Sequence, residues 1–437
     1  MVDASEKYRE LAELSHEISR CGRCGFCQSV CPVYHVSANE TGVARGRNMY
    51  AKELISGRLE FAGENEAFFS ECLLCHACVD ICFSAVKTDE IVLAGRRTRR
   101  RIRGISPAYG YAFEHLLPDQ RRLGRLVRLA SAGRSAGLGK LAPALRMFGW
   151  FGRSVARAEQ LFGELPKQFL RERLAQREAA PELPRQAALF IGCGINFMFP
   201  HVGEATVRIL EMLGYDVAVV EHGCCGLPAF VQGDTDAARI QATKNIDVFS
   251  SVRDGIIASD CSSCASFLKD YPRLFPTGNA AGKVAKAEAE AFSSRVRDIT
   301  ELLAGVASTR TAILRKSGPP GSRSVASFHD PCHLSRRQRL SQQARDVLRS
   351  LPDIEFVEMN EADWCCGGAG TFAVEHPELS LRILERKIEN VKSSGADTLA
   401  TTCPSCLMQI QSGLRDAGLM VRARHLVEIV SDCLSSG

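Results

Sequence analysis

The chain has 437 residues, 45% apolar and 24% charged, with 55 Lys and Arg against 50 Asp and Glu for a formal net charge of +5. That length allows about three domains, and the composition excludes a disordered, collagen-like or fibrous chain. The longest nearly apolar stretch, residues 187–200, falls short of the roughly 20 residues a membrane helix needs. The N-terminal MVDASEKYRELAELSHEI reads as an amphipathic helix without the marks of a secretory signal, so the expected location is the cytoplasm.

Nineteen cysteines are far more than a cytoplasmic chain keeps as disulfides or idle thiols. Eighteen fall into four tight groups, and Cys433 stands apart as an expected buried apolar side chain. Residues 1–95 hold the first two groups. Cys21, Cys24, Cys27 and Cys31, with Pro32 following, form the CxxCxxCxxxCP run of two-cluster ferredoxins, and Cys72, Cys75, Cys78 and Cys82 repeat it. In that arrangement the fourth Cys of each run joins the other cluster. Cys21, Cys24, Cys27 and Cys82 are therefore assigned to one [4Fe-4S] cubane, and Cys31, Cys72, Cys75 and Cys78 to a second. Two structural zinc sites are the competing reading, but zinc does not account for a fourth Cys at matched spacing twice. Phe83 stands where Pro is usual, a change expected to affect loop stiffness and no ligand. An amphipathic helix over 43–59 separates the runs.

Residues 96–185 read as a basic helical connector. Between Arg96 and Arg157 there are fifteen Lys or Arg against Glu114 and Asp119. Basic residues interleaved with Phe148, Trp150 and Phe151 fit docking to an acidic partner or peripheral contact with the inner face of a membrane, against the plainer reading of a solvated surface. No recognition fold for nucleic acid accompanies them, and none is expected as a partner.

The remainder is an internal repeat, residues 186–318 and 319–437. Cys193, the Cys224–Cys225–Gly226 triplet and the pair Cys261 and Cys264 return as Cys332, Cys365–Cys366–Gly367, and Cys403 and Cys406. Short apolar strands begin at Ala188, Gly255, Val325 and Asp397, and helical periodicity covers 204–213, 236–250, 342–351 and 378–391. Alternating strand and helix predict parallel sheets, with the cysteines converging beyond the carboxyl ends of the strands. The expected fold class is thus α+β: a helical two-cluster ferredoxin-like part, then a duplicated α/β part.

Five thiols per repeat exceed what a tetrahedral zinc or one cubane uses, which calls for one or two further [4Fe-4S] clusters of cubane or non-cubane form. A zinc site in one copy, or a decayed relic, are the alternatives. His76, His222, His329 and His333 flank ligands. Most such histidines are simply hydrogen-bonded structure, and His329 and His333 around Cys332 are the candidates to tune a cluster or deliver protons. GCGIN at Gly192 lacks the third Gly of a dinucleotide loop and holds a ligand Cys. No flavin or nicotinamide site and no nucleophile elbow is found, so no catalytic residue is assigned.

The cysteine-and-glycine repeats resemble the catalytic subunit of heterodisulfide reductase from about Ala187 onward. Over nearly the full length, the chain resembles the iron–sulfur subunit of glycolate oxidase and related lactate dehydrogenase complexes. The identities lie in CGFCQSVCPVY at Cys24, ARGR at Ala44, TDEIV at Thr88, HLLPDQRRLGRL at His115, VRDITELL at Val296, HDPCHL at His329 and CCGGAGTF at Cys365. That resemblance implies an electron-transfer subunit of an oxidoreductase complex. It would pass electrons from an FAD-dependent glycolate or lactate dehydrogenase to a quinone, cytochrome or other acceptor. Complete CSSC at Cys261 and CPSC at Cys403 are the disulfide-reductase condition and imply disulfide or thiol reduction as the alternative.

Overall fold

The computed structural model describes residues 4–135, 157, 160–161, 165–177, 183–252, 254–277, 279–309 and 323–435. Phe148, Trp150 and Phe151, on which the docking reading of the connector leans, lie outside them. Short helices build the N-terminal part, and two four-stranded, all-parallel sheets build the rest, in agreement with the expected α+β class.

The first sheet comprises β1 (Arg185–Leu189), β2 (Tyr215–Ala218), β3 (Ile256–Ser259) and β4 (Val296–Asp298), in the order β2-β1-β3-β4. The second comprises β5 (Ser324–Phe328), β6 (Ile354–Phe356), β7 (Thr398–Thr401) and β8 (Arg422–His425), in the order β6-β5-β7-β8. Parallel neighbours demand crossovers, and helices Pro200–Met212, Thr235–Phe249, Ser341–Ser350 and Pro377–Ser393 provide them where the periodicity places them. In register, Ala188 pairs with Ala218 and Ile257, and Ala326 with Phe356 and Thr398. Strand order reverses between β1 and β3, and again between β5 and β7. A crevice opens at the carboxyl ends of such a switch point, and Cys193, Cys261, Cys332 and Cys403 follow these four strands directly.

One apolar core runs through both repeats, joining Leu189, Val202 and Leu210 to Phe328, Leu407 and Val427. Each such side chain contributes about 1.5–3 kcal/mol on burial, so the repeats are a single packed body. Cys433 is buried in the same core, as its isolation in the sequence predicts. A second core under the N-terminal helices gathers Tyr8, Leu11, Tyr50, Leu54, Phe69 and Ile91. The helix expected over 43–59 is Ala44–Ile55. The N-terminal amphipathic helix is broken into Ala4–Lys7, Arg9–Ala12 and Ser15–Ser19.

Part of the basic connector turns inward, while Arg99, Arg103, Arg121, Arg122, Arg125 and Arg128 are exposed. Arg96 is half-buried and donates to the carbonyls of Phe69, Ser70 and Cys72 and, across to the first repeat, of Val231. Arg100 pairs with Asp234 at 2.8 Å, and Arg157 donates to Gln409 and Ser412 of the second repeat. Among the described residues no helix is long and apolar enough to cross a membrane.

Candidate metal centres

The two N-terminal runs curl the same way. Arg23 and Gly25 in the first, and Leu74 and His76 in the second, take left-handed backbone angles at matching positions between the cysteines. Non-glycine residues adopt this region at a cost of roughly 1–2 kcal/mol each, and the resulting loops direct successive thiols to one side. Cys31 then caps helix Pro32–Ser37, with Pro at its first position. After Cys82, Phe83 enters a turn instead. It is 80% exposed, meeting Phe26 edge-on at 4.8 Å between ring centroids. That is more than a change in loop stiffness: two aromatic rings stand at the surface beside Cys27 and Cys82.

Thiols from the two runs approach one another. Burial pushes Cys78 well up, and Cys72, Cys75 and Cys31 add to it. Cys31 is raised by burial and by Cys72, with the Arg47 guanidinium opposing. Arg47 is buried with one guanidinium nitrogen unpaired; it is a cation facing Cys72, Cys31 and Cys78. Burial raises Cys27, with Cys21 and Cys31 adding to the shift. Cys21 and Cys82 pack against the same N-terminal core, and Cys24 is exposed.

In the repeats, ten thiols collect at the carboxyl ends of the strands. Cys193 and Cys332 open helices, and Cys261 and Cys403 cap the helices that carry Cys264 and Cys406. The pairs Cys224–Cys225 and Cys365–Cys366 lie in loops that end on Gly226 and Gly367, at φ +93° and +81°. Cys224 is held well below the ordinary thiol range by hydrogen bonds from Cys193 and Cys225. Cys225 is raised by Cys224 and eased down by Cys264. Cys403 is lowered by Cys261 and by Cys406; Cys366 is lowered by Cys365 and by Cys406. The thiols thus follow one another without a break: Cys193, Cys224, Cys225, Cys264, Cys261, Cys403, Cys406, Cys366, Cys365.

The repeats meet at this row. Ser262 donates its N–H to Thr402 O at 3.1 Å and its hydroxyl to Thr402 Oγ1 at 2.7 Å, and Ser263 Oγ lies 3.3 Å from Cys403 Sγ. The row also meets the N-terminal part. Burial pushes Cys332 far up, and its first electrostatic neighbour is Cys75, whose own thiol burial raises to about 11. Cys31 and Cys75 share an apolar cluster with Trp364 and Cys365. Arg336 donates to Cys75 O at 3.4 Å and to Asp363, and Arg339 reaches Asp80 at 2.8 Å. Arg336 sits one turn beyond Cys332 on the same helix; sequence reasoning passed over it, although HDPCHLSRR carries the spacing.

The donor set fits iron–sulfur clusters. Ten thiols packed side by side make a soft, sulfur-rich donor set that iron takes up as thiolates with release of their protons. Glycine keeps the backbone close: a Cβ on Gly192 would lie 3.2 Å from Cys264 Sγ, and one on Gly368 would lie 3.4 Å from Cys366 Sγ. Of the four singled-out histidines, His222 is satisfied, meeting Gly223 O at 2.7 Å and the Ile191 N–H at 3.0 Å. His76 lies 3.4 Å from Asp89. Both ring nitrogens of His329 and the Nδ1 of His333 are buried without an oxygen or nitrogen partner.

Residues 17–86 match the 4Fe-4S dicluster domain, and residues 187–269 and 326–411 match the cysteine-rich domain. The chain is 28% identical over 423 residues to a probable glycolate oxidase iron–sulfur subunit of Bacillus subtilis, covering 95% of this chain and 93% of that protein. It is 27% identical over 424 residues to the glycolate oxidase iron–sulfur subunit of Escherichia coli, with the same coverage. Lactate utilization protein A of Exiguobacterium matches 56% of this chain at 29% identity, over 96% of its own length.

Proposed function

We propose that this chain, an iron–sulfur protein homologous to the glycolate oxidase iron–sulfur subunit and to lactate utilization protein A, is the electron-transfer subunit of a dehydrogenase complex. Its donor is an FAD-dependent dehydrogenase that oxidises a 2-hydroxy acid, glycolate or lactate. Its acceptor is a quinone, a cytochrome or another redox carrier. Cys21, Cys24, Cys27 and Cys82 hold one cubane, and Cys31, Cys72, Cys75 and Cys78 hold the other. Cys193, Cys224, Cys225, Cys261 and Cys264 serve the first repeat, and Cys332, Cys365, Cys366, Cys403 and Cys406 the second. When bound, such clusters supply one-electron acceptance and donation over a wide range of potentials.

The observation that carries this reading is the row of thiols. Cys75 neighbours Cys332 across the junction with the second repeat, and Cys403 neighbours Cys261 across the junction with the first. The protein's own residues keep that row dry and fixed. Trp364, Phe372 and Ile383 cover the first junction, and the Ser262 and Thr402 hydrogen bonds lock the second. Arg47 and Arg336 set positive charge against thiolates, while Phe26 and Phe83 offer an aromatic face at the surface. The test is anaerobic mixing with a substrate-reduced FAD-dependent dehydrogenase, followed by optical and paramagnetic signals. All centres of the wild type should reduce, and Cys75→Ser should leave those on one side of the break oxidised. Reduction of every remaining centre at the wild-type rate in Cys75→Ser would contradict the relay.

A second reading, disulfide or thiol reduction at the repeats, is favoured by the complete CSSC and CPSC pairs. A polar cavity of about 460 Å³, lined by Glu114, Asp119, Arg122, His222 and Lys244, also opens just ahead of Cys224. Two electrons and two protons would split a disulfide into two thiols. The purified chain supplied with an artificial donor either turns over a small disulfide or does not, and turnover would favour this reading over the relay alone.

A further inference from the structure

Position 329 breaks the symmetry of the duplication. Cys193 and Cys332 stand 139 residues apart, and the same offset pairs His329 with Phe190 and His333 with Gly194. Phe190 and His329 are each the first residue past an inner strand, β1 and β5. Their backbones are pinned alike, the Phe190 N–H to Ala258 O at 2.8 Å and the His329 N–H to Ala400 O at 2.9 Å. The two side chains therefore leave equivalent places in equivalent sheets.

Their surroundings differ. Phe190 packs in the apolar core of the first repeat and stacks on His222, with 4.1 Å between ring centroids. The imidazole of His222 spends both nitrogens on backbone groups. His329 is 1% exposed and neither of its ring nitrogens meets an oxygen or nitrogen partner; the polar group it faces is the Cys366 thiol, whose pKa it lowers. One of those nitrogens, Cys366 Sγ and Cys406 Sγ all lie within 4.8 Å of one another. A buried imidazole whose polar neighbours are thiols alone is poorly satisfied in a protein interior, since a thiol is a weak hydrogen-bonding group. Two thiols beside it, from the CysCys loop and the CxxC helix, are the company a metal-binding nitrogen keeps.

We propose that His329 is a nitrogen ligand of the second repeat's metal centre, alongside Cys366 and Cys406. The duplicated sites are then chemically unlike, all-thiolate in the first repeat and mixed imidazole–thiolate in the second. This rests on the reading of the repeats as cluster sites. A neutral imidazole brings no negative charge where a thiolate would bring one. Replacement of Cys by His on one iron raises the reduction potential in Rieske centres. If the imidazole takes an iron position in place of one of the five thiolates, the second repeat is the one that holds an electron more tightly, and it is also the one that abuts Cys75.

The test uses the full chain, loaded anaerobically, with histidine carrying either ¹⁴N or ¹⁵N. Pulsed electron paramagnetic resonance is recorded on the signal that Cys366→Ala abolishes. The expected result is a nitrogen coupling of the strength of direct coordination that changes with the isotope and persists in His333→Gln. It should vanish in both His329→Phe, which installs the residue of the first repeat, and His329→Gln. The midpoint potential of that signal should fall in both variants while the first repeat's stays fixed. A wild-type signal without histidine coupling, or a coupling that survives in His329→Phe, overturns the proposal. If it fails while the second repeat keeps its iron, only the ligation is wrong. If Cys366→Ala removes no signal and no iron, the cluster reading falls with it. Should a His329 variant fail to load, the isotope response of the wild type and of His333→Gln decides.

Discussion

The two repeats share their thiols and strand order but not the groups that hold those thiols in place. Under the first CysCys loop, Asn245 donates to Cys224 O at 2.9 Å and the Tyr271 hydroxyl donates to Cys225 O at 2.7 Å. Under the second, Ser380 donates to Gly367 O at 2.9 Å. The buried ammonium of Lys387, which burial brings down to about 8, reaches the carbonyls of Glu361 and Ala362. The buried acids differ in place as well: in the first repeat Asp260 follows β3, accepts from Thr206 Oγ1 at 2.9 Å and is raised by burial to about 7. In the second repeat the acid follows β5 instead, Asp330, held by Arg345 at 2.8 Å. Duplication has kept the ten thiols and exchanged much of the layer behind them, so the two sites can be tuned apart.

The largest effects should come from the thiols themselves. Cys225→Ala and Cys366→Ala should each remove about four iron per chain, from its own repeat alone, as read by iron analysis and paramagnetic resonance. Loss of both repeats' iron from either single change would break the separation. Next, Arg345→Ala leaves Asp330 buried without its partner and should destabilise the second repeat by about 3–5 kcal/mol. Thr206→Val, which removes one neutral hydrogen bond to Asp260, should cost about 1–2 kcal/mol. Urea midpoints of the two variants, compared with the wild type, measure the difference, and equal shifts would refute it.

A smaller asymmetry lies in the glycines after the CysCys pairs. Both take left-handed angles, which cost an Ala roughly 1–2 kcal/mol. A Cβ on Gly367 would also come within 2.6 Å of Ser380 O, against 3.3 Å from Ala238 O for Gly226. Gly367→Ala should therefore lower the thermal midpoint more than Gly226→Ala does, and the reverse order would contradict this packing.

The smallest effect lies outside both repeats. Burial raises the Glu10 carboxyl, but hydrogen bonds from Arg101, its own backbone and Thr98 bring it down to about 2. Its contribution is present above the ordinary carboxylate range and is lost as pH falls toward 2. Arg101→Met should cost no more than about 1 kcal/mol at neutral pH, because the pair lies at the surface within reach of solvent screening, and the difference should close in acid. A gap that persists at low pH would assign the effect to packing.

The inner strands were legible because they are short apolar runs placed just ahead of cysteines. The outer strands were not. Tyr215–Ala218 is half-buried throughout, Ile354–Phe356 and Val296–Asp298 are three residues long, and Arg422–His425 reads Arg-Ala-Arg-His. Edge strands this short or this polar carry no such run. Sequence spacing grouped the cysteines but could not tell which groups touch. The approach of Cys75 to Cys332 depends on how helix Pro32–Ser37 and the Cys365 loop pack together. Composition likewise shows charge without its use: Arg96, Arg100 and Arg157 spend theirs on carbonyls, an aspartate and a glutamine and serine of the fold, while Arg121, Arg122, Arg125 and Arg128 stay exposed.

The most direct test of the account is anaerobic quantitation of iron, sulfide and zinc on the purified full chain, with paramagnetic resonance on the same sample oxidised and reduced. Four loaded centres predict about sixteen iron with matching sulfide and no stoichiometric zinc. About eight iron accompanied by zinc would confine electron transfer to the N-terminal runs and contradict the relay through the repeats.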